Sequence, residues 1–345
     1  MRPLPHSDRR LKVLLCGYGH LGLAILQGLL ACSELCEVVA VYRWTARPGG
    51  QAFWEPIEDD FKALVAQAGL LDLDCPGMNS FEFIRILQDL KPDVVLVGSW
   101  GEILKAHILN LPDVILVNCH PSLLPAHRGA NPYASVLLQQ ESQTGVTFHR
   151  MAPQIDAGAI LLQRVVPLSD EDHGDSVRAK CVLAAGEMVA ELLLGLRNHV
   201  LLGHPLIERE QDHSQKSYYG QLKQEAGLLD WHKSPAALSR QIRAIYPWVI
   251  GYSFLEGKRA VLFYGNRFMP CDPALTQGKL PGTILSFNAT SGFQIVLSDP
   301  GWVMLVDVYQ IAATAQLFLP AWACKWLAPF LLRPGKRFFT PADPG

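Results

Sequence analysis

Short apolar runs alternate with stretches of helical periodicity from Leu11 to about Arg197. Leu11 to Cys16, Glu37 to Tyr42, Asp93 to Gly98 and Asp113 to Val117 read as strands. Unbroken apolar runs of this length suit strands buried on both faces of a parallel sheet. Helical patterns lie between them: one opening at Gly17, one from Pro56 to Ala68, one capped by Asn79-Ser80 and running to Leu90, and one from about Glu102 to Leu109. Asn131-Pro132 fits the start of a further helix carrying Tyr133 to Gln139. Gly145 to Met151 and Ala159 to Val166 read as strands, and a long helix is expected from Ser176 to Arg197. The alternation predicts an α/β domain over residues 11–204, built on a Rossmann-like parallel sheet.

The pattern changes after His204-Pro205, where Gln, Asp, Glu and Ser replace apolar residues as far as Ser217. Residues 205–217 are therefore expected to form a linker, and residues 218–340 a second domain. That domain opens on a helix from about Pro235 to Ile245. Short β-like runs follow: Gly251 to Leu255, Arg259 to Tyr264, Gly282 to Phe287, Phe293 to Leu297 and Trp302 to Val308. Strands of this spacing predict a small antiparallel β-barrel of OB-like type. Ala315 to Leu332 is rich in Leu, Trp and Phe, but Pro320, Lys325 and Pro329 interrupt it. It reads as a buried C-terminal helix, not a membrane span, and no membrane partner is expected. Residues 1–10 lack an apolar stretch and read as a disordered arm without a secretory signal.

Composition adds little that changes this picture. The apolar content of 49% over 345 residues supports more than one core. The eight cysteines contain no C-x-x-C pair, which points to free thiols in a reducing compartment and a cytoplasmic location. The acidic run Asp170 to Asp175 is expected to decorate a helix N-terminus, and no metal site is expected.

Candidate chemistry collects where the fourth apolar run ends. Asn118 and His120 fall at or just past the end of that strand, the position at which open α/β sheets bind ligands. Asp156 sits in the loop between the next two strands. An amide that can donate to a developing oxyanion, an imidazole that exchanges protons near neutrality and a carboxylate that supports the imidazolium suit acyl transfer to an amine. The same residues also fit plainer roles: Asn118 as a turn cap, His120 as a polar loop residue and Asp156 as the start of an Asx-turn. Gly17-Tyr18-Gly19-His20-Leu21-Gly22 is a formal G-x-G-x-x-G, which cradles dinucleotide phosphates in some folds. The second strand ends at Arg43, which could accept the 2′-phosphate of NADP; alternatively the glycines serve helix-on-strand packing alone.

The longer words around the trio read N-x-H-x-S-L-L-P-x-x-R-G from Asn118 and G-V-T-x-x-x-M-x-x-x-x-D-x-G-x-I-L from Gly145. Together they resemble the 10-formyltetrahydrofolate-dependent formyltransferase family. That family includes methionyl-tRNA formyltransferases, amino-sugar-nucleotide formyltransferases and formyltetrahydrofolate dehydrogenases or hydrolases. The resemblance implies that Asn118, His120 and Asp156 are catalytic, that 10-formyltetrahydrofolate is the co-substrate, and that no metal takes part. It also implies that the folate is held by Trp100, Gly101, Glu102, Ile103 and Leu104, by Ser122, Leu123, Leu124 and Pro125, and by Gln154, Ile155, Ala157 and Gly158. Gly227 to Trp231, Arg243-Ala244, Pro247-Trp248 and Pro281 to Ile284 resemble the family's C-terminal barrel.

The acceptor is expected to be the amino group of methionyl-tRNA, with a nucleotide-linked amino sugar as the alternative and water, giving hydrolysis, third. Residues 211–345 carry 13 Lys/Arg and 8 Asp/Glu, against 17 and 24 in residues 1–210, and a mildly basic second domain favours a polyanion. Arg43 and Arg47 could reach acceptor phosphate, although Glu55, Glu58, Asp59 and Asp60 would repel it. The alternatives from other classes are an NADP-dependent oxidoreductase and a non-catalytic folate-binding protein.

Overall fold

The computed structural model describes residues 9–44, 57–256, 259–314 and 317–339. Most of the expected N-terminal arm, Arg47 with most of the segment following Arg43, and position 340 lie outside the described residues. The chain divides into two compact units at Gly220/Gln221, with residues 137–140 and 171–175 grouped with the second.

The first unit contains β1 (Leu11–Gly17), α1 (Gly19–Ala31), β2 (Cys36–Arg43), α2 (Ile57–Gln67), α3 (Phe81–Leu90), β3 (Val94–Gly98), α4 (Ala106–Leu109), β4 (Ile115–His120), β5 (Arg128–Gly129), α5 (Pro132–Leu138), β6 (Gln143–Arg150), β7 (Ile160–Pro167), α6 (Gly174–Leu202) and β8 (Tyr218–Tyr219). The main sheet runs β2-β1-β3-β4-β6-β7. It is parallel from β2 to β4 and antiparallel from β4 onward, so it is a mixed sheet. Every residue of β3 is buried, which accounts for its unbroken apolar pattern.

Two departures from the expected elements shape the region around Asn118. β4 does not stop at Val117; antiparallel pairing with β6 carries it through His120, so Asn118 and His120 are strand residues. The helix expected from Glu102 is reduced to α4. Side chains hold the chain before it in irregular form: the Glu102 carboxylate accepts from Met78 N–H at 2.8 Å and from Trp100 Nε1 at 3.2 Å. Asn79 meanwhile donates to the Ile103 carbonyl at 3.0 Å and accepts from Lys105 N–H at 2.8 Å.

Residues 205–217, expected to form a linker, carry backbone bonds to strands of the first unit. Arg209 and Ile160 exchange backbone hydrogen bonds of 2.9 and 2.8 Å beside β7, and Ser217 accepts from Arg128 N–H at 3.0 Å. The chain then enters β8, which pairs in parallel with β5.

The second unit contains α7 (Pro235–Ile245), β9 (Tyr252–Leu255), β10 (Arg259–Pro270), α8 (Pro273–Thr276), β11 (Ile284–Asn288), β12 (Gly292–Val296), β13 (Trp302–Thr314), β14 (Leu317–Phe318), α9 (Ala321–Leu331) and β15 (Phe338–Phe339). Its antiparallel sheet runs β11-β12-β13-β10-β9-β15. The sheet curls until the two ends meet through a bridge between Thr283 and Arg337. Trp231, Phe263, Phe293 and Phe338 fill the interior, and the Trp231 indole donates to the Ser253 hydroxyl at 3.1 Å. α9 buries only one side: Ala323, Cys324 and Ala328 face inward, whereas Trp322, Trp326 and Phe330 are exposed. No helix among the described residues is long and apolar enough to cross a membrane.

Candidate active site

Pairing of β4 with β6 sets Asn118 opposite His149 and His120 opposite Thr147. Residues two apart on a strand share a face, as do residues directly opposite, so all four side chains lie on one side of the sheet. Cys119 takes the other side, where burial pushes its thiol pKa well up. Asp156 enters from the loop between β6 and β7 with φ at 51°, a left-handed conformation that Asp tolerates better than most side chains. Its carboxylate collects four neighbours. Oδ2 accepts from Gly129 N–H at 2.9 Å and stands 3.5 Å from His120 Nδ1. Oδ1 accepts a long bond from Asn118 Nδ2 at 3.4 Å and stands 3.5 Å from His149 Nε2.

The partners of each imidazole fix its hydrogen positions. His120 Nε2 lies 2.8 Å from the His127 carbonyl oxygen, which can only accept, so Nε2 carries the hydrogen. Nδ1 is then the bare nitrogen of the neutral ring, and it faces Asp156. His149 Nδ1 likewise donates to the Arg150 carbonyl at 2.8 Å, leaving Nε2 to accept from Asn118 Nδ2 at 3.2 Å. Burial lowers the His120 pKa; the Asp156 charge and the bond to His127 oppose this without reversing it. Burial alone would raise the Asp156 carboxyl, but attraction to His120, the His149 contact and the Gly129 N–H together hold it well below the ordinary carboxylate range. A neutral imidazole therefore presents a lone pair to an ionised carboxylate. A proton delivered to Nδ1 is stabilised by both groups.

Three groups around this constellation were given no role in the site from sequence. His149 lies inside the matched word, and its antiparallel position opposite Asn118 was the available signal. Gln211, buried within the stretch expected to be a linker, donates to the carbonyls of Asp156 at 2.8 Å and Gly158 at 2.7 Å. Its own oxygen accepts from the Arg128 guanidinium at 2.6 Å. Gly129 supplies the backbone donor to Asp156 from β5.

The segments expected to hold folate divide by how much they leave free. Trp100 and Leu104 pack with Met151 into one apolar cluster, while Gly101 and Ile103 are exposed beside it. Ser122 to Pro125 is pinned largely by the neighbouring strands: Thr147 Oγ1 donates to the Ser122 carbonyl at 2.7 Å, Gln163 Nε2 donates to the Leu124 carbonyl at 3.0 Å, and Ser122 Oγ donates to the Ala126 carbonyl at 2.8 Å. Ala157 and Gly158 are buried. A Cβ on Gly158 would stand 2.0 Å from the Arg150 carbonyl oxygen, so packing against backbone demands glycine there. Gln154 and Ile155 are exposed on the same loop.

The glycine motif is occupied by its own chain. The Glu58 carboxylate accepts from Gly19 N–H at 2.6 Å, at the helix terminus where a dinucleotide phosphate would dock. A Cβ on Gly17 would meet the Gly98 carbonyl oxygen at 2.6 Å, and one on Gly22 the Phe61 ring at 2.9 Å. These glycines let α1 approach the sheet. Arg43 is engaged as well, by a forked ion pair with Asp72 whose shortest contact is 2.7 Å. Among the described residues no group of His, Cys, Asp and Glu is arranged to hold a metal ion.

Residues 9–193 match the family described as formyl transferase, and residues 221–323 match the formyl transferase C-terminal domain. A methionyl-tRNA formyltransferase from Geobacter sulfurreducens is 30% identical over 253 residues, 73% of this chain and 77% of that protein. The enzyme of the same name from Roseiflexus castenholzii is 32% identical over 238 residues, 69% of this chain and 74% of that protein. Among solved structures, HypX from Aquifex aeolicus in complex with tetrahydrofolic acid superposes with a TM-score of 0.62 at 16% identity, over 94% of this chain and 48% of that one. The chain thus spans about half the length of HypX. An N-formyltransferase from Helicobacter canadensis, in complex with folinic acid and dTDP-3-aminofucose, superposes with a TM-score of 0.57 at 13% identity, over 86% of this chain and 99% of that one. These structural likenesses show the fold.

Proposed function

The chain belongs to the formyl transferase family, whose members take a formyl group from 10-formyltetrahydrofolate, and we propose that its acceptor is the amino group of methionyl-tRNA. The observation that carries the chemistry is that Asn118 and His120 each bring a polar atom within 3.5 Å of the Asp156 carboxylate. The names of the relatives at 30% and 32% identity carry the choice of acceptor.

The residues fit a folate. A flat, partly apolar ring system needs an apolar wall with exposed chain beside it, and the cluster of Trp100, Leu104 and Met151 would supply that wall. Gly101, Ile103, Gln154 and Ile155 would hold its edges. When bound, 10-formyltetrahydrofolate supplies the formyl group. An attacking amine must shed a proton, and His120 Nδ1 is the base that receives it, with Asp156 stabilising the resulting imidazolium. Asn118 supplies an N–H to an oxygen that gains negative charge. Its bond to Asp156, at 3.4 Å, is the weaker of its two and the one it can redirect.

One observation favours a second acceptor, a nucleotide-linked amino sugar. Arg43, one of two cations expected to reach tRNA phosphate, is committed to Asp72. The test is to incubate the protein and 10-formyltetrahydrofolate with methionyl-tRNA, with a nucleotide-linked amino sugar, or with neither, and to follow tetrahydrofolate release. Release only with the tRNA supports the proposal, and release only with the sugar selects the second reading. Equal release without an acceptor makes the protein a hydrolase, and no release in any incubation rejects formyl transfer by this chain.

A further inference from the structure

His120 needs the correct nitrogen bare. Left alone with Asp156, a neutral imidazole would place its hydrogen on Nδ1 and donate it to the carboxylate, which would turn its basic nitrogen away from Asp156. The His127 carbonyl prevents this by demanding the hydrogen on Nε2, at 2.8 Å. Whatever fixes that carbonyl therefore chooses the base.

We infer that His127 is a positioning residue for the proposed reaction, and that Ser135, Glu141 and Tyr219 hold it so that its carbonyl selects the His120 tautomer. His127 has φ at 58°, a left-handed conformation that a non-glycine residue keeps only when its surroundings impose it. Here they do so on every side. Its backbone N–H donates to Ser217 Oγ at 2.8 Å. Its ring Nε2 lies 2.7 Å from Glu141 Oε1, and Nδ1 lies 2.8 Å from Ser135 Oγ. The Ser135 hydroxyl also reaches the Pro132 carbonyl at 3.0 Å, which ties it to the start of α5. The ring also stacks on Tyr219, with centroids 5.2 Å apart and planes 15° from parallel, and the residue is 2% exposed. The hydrogen bond from His127 to His120 is made by its backbone carbonyl, while its ring is bonded to Ser135 and Glu141. The inference rests on the reading of His120 as the proton acceptor.

The test uses the full-length protein with 15N-labelled histidine, without folate or acceptor, above neutral pH. Long-range 1H–15N correlations report which ring nitrogen carries hydrogen, and the His120 signals are those lost in His120→Asn. The wild type should show hydrogen on Nε2. His127→Phe keeps a ring against Tyr219 but removes both side-chain bonds, and Glu141→Leu removes one; both should populate the Nδ1–H form. With the acceptor that proves active, kcat should fall about tenfold in each, part of the range that general acid–base catalysis supplies, with KM unchanged. Glu141→Gln keeps an acceptor oxygen and should restore both readouts. Should His127→Phe fail to fold, the Glu141 pair decides alone, because that side chain is 43% exposed. An unchanged tautomer in the variants, a fall in kcat without a tautomer change, or an effect on KM only would overturn the inference. The tautomer measurement needs no turnover, so it stands apart from any failure of the proposed acceptor or reaction.

Discussion

Replacing Asp156 with Asn removes one negative charge and leaves the shape of the side chain almost intact. The amide oxygen can still accept from Gly129 N–H, 2.9 Å away, so the loop should keep its anchor. What disappears is the charge beside His120 Nδ1, at 3.5 Å. Two unit charges at that separation, in an effective dielectric of about 20, attract by roughly 5 kcal/mol. That attraction is present only once His120 has taken the proton, so its loss raises the barrier and leaves ground-state binding nearly untouched. A barrier increase of roughly 4–5 kcal/mol corresponds to about a thousandfold fall in kcat. The assay is single-turnover formyl transfer at saturating donor and acceptor, with circular dichroism and thermal unfolding recorded on the same sample. A variant that keeps its melting profile and turns over within tenfold of wild type would show that the Asp156 charge does not support proton uptake by His120.

Gln211→Leu should destabilise the first unit by about 3 kcal/mol, because it strips partners from a buried carbonyl, a half-buried carbonyl and a buried guanidinium at roughly 1–3 kcal/mol each, before relaxation; an unchanged urea midpoint would contradict this. Because burial holds His120 below the ordinary histidine value of about 6.5, kcat/KM should be level through neutrality and fall only in more acid solution. The same depression contributes stability that is complete above about pH 6.5 and is lost as pH drops further, since the unfolded chain then binds the proton first; an acid limb centred above pH 7 would be inconsistent with it. With Gly19 N–H taken by Glu58, calorimetry should detect 5-formyltetrahydrofolate and give no heat with NADPH, whereas NADPH binding would reopen the oxidoreductase reading.

Elements were legible where one local cause sets them. Ser80 accepts from Phe83 N–H at 3.1 Å and starts α3 where a capping residue was expected, and Ser234 followed by Pro235 does the same for α7. The barrel strands were harder to bound. β10 and β13 run 12 and 13 residues, well beyond the apolar runs that announced them. Register shifts around Gly265 let the ladder continue through a break in alternation. β15 has two residues and exists because β9 and the bridge at Thr283 accept it. Nothing in Phe338-Phe339 alone marks a strand.

The trio was legible as three residue types in two familiar words, but what fixes their geometry lies elsewhere. Asn118 and His120 are aligned by β6, a strand beyond the loop that follows them. Asp156 is aligned by the stretch whose composition argued for a linker. Polar residues are normally read as solvent-facing because water is their commonest partner. A site that buries backbone carbonyls in an irregular loop creates the same demand for polar side chains inside the protein. Gln211 answers that demand for Asp156 and Gly158, and it also shields the Arg128 charge. From composition alone the two situations are identical; only the identity of the partner separates them. The segment read as a linker therefore carries one of the two straps on Asp156, with Gly129 as the other. A deletion between Pro205 and Ser217 should accordingly abolish formyl transfer in the single-turnover assay, and activity retained in that variant would contradict the reasoning.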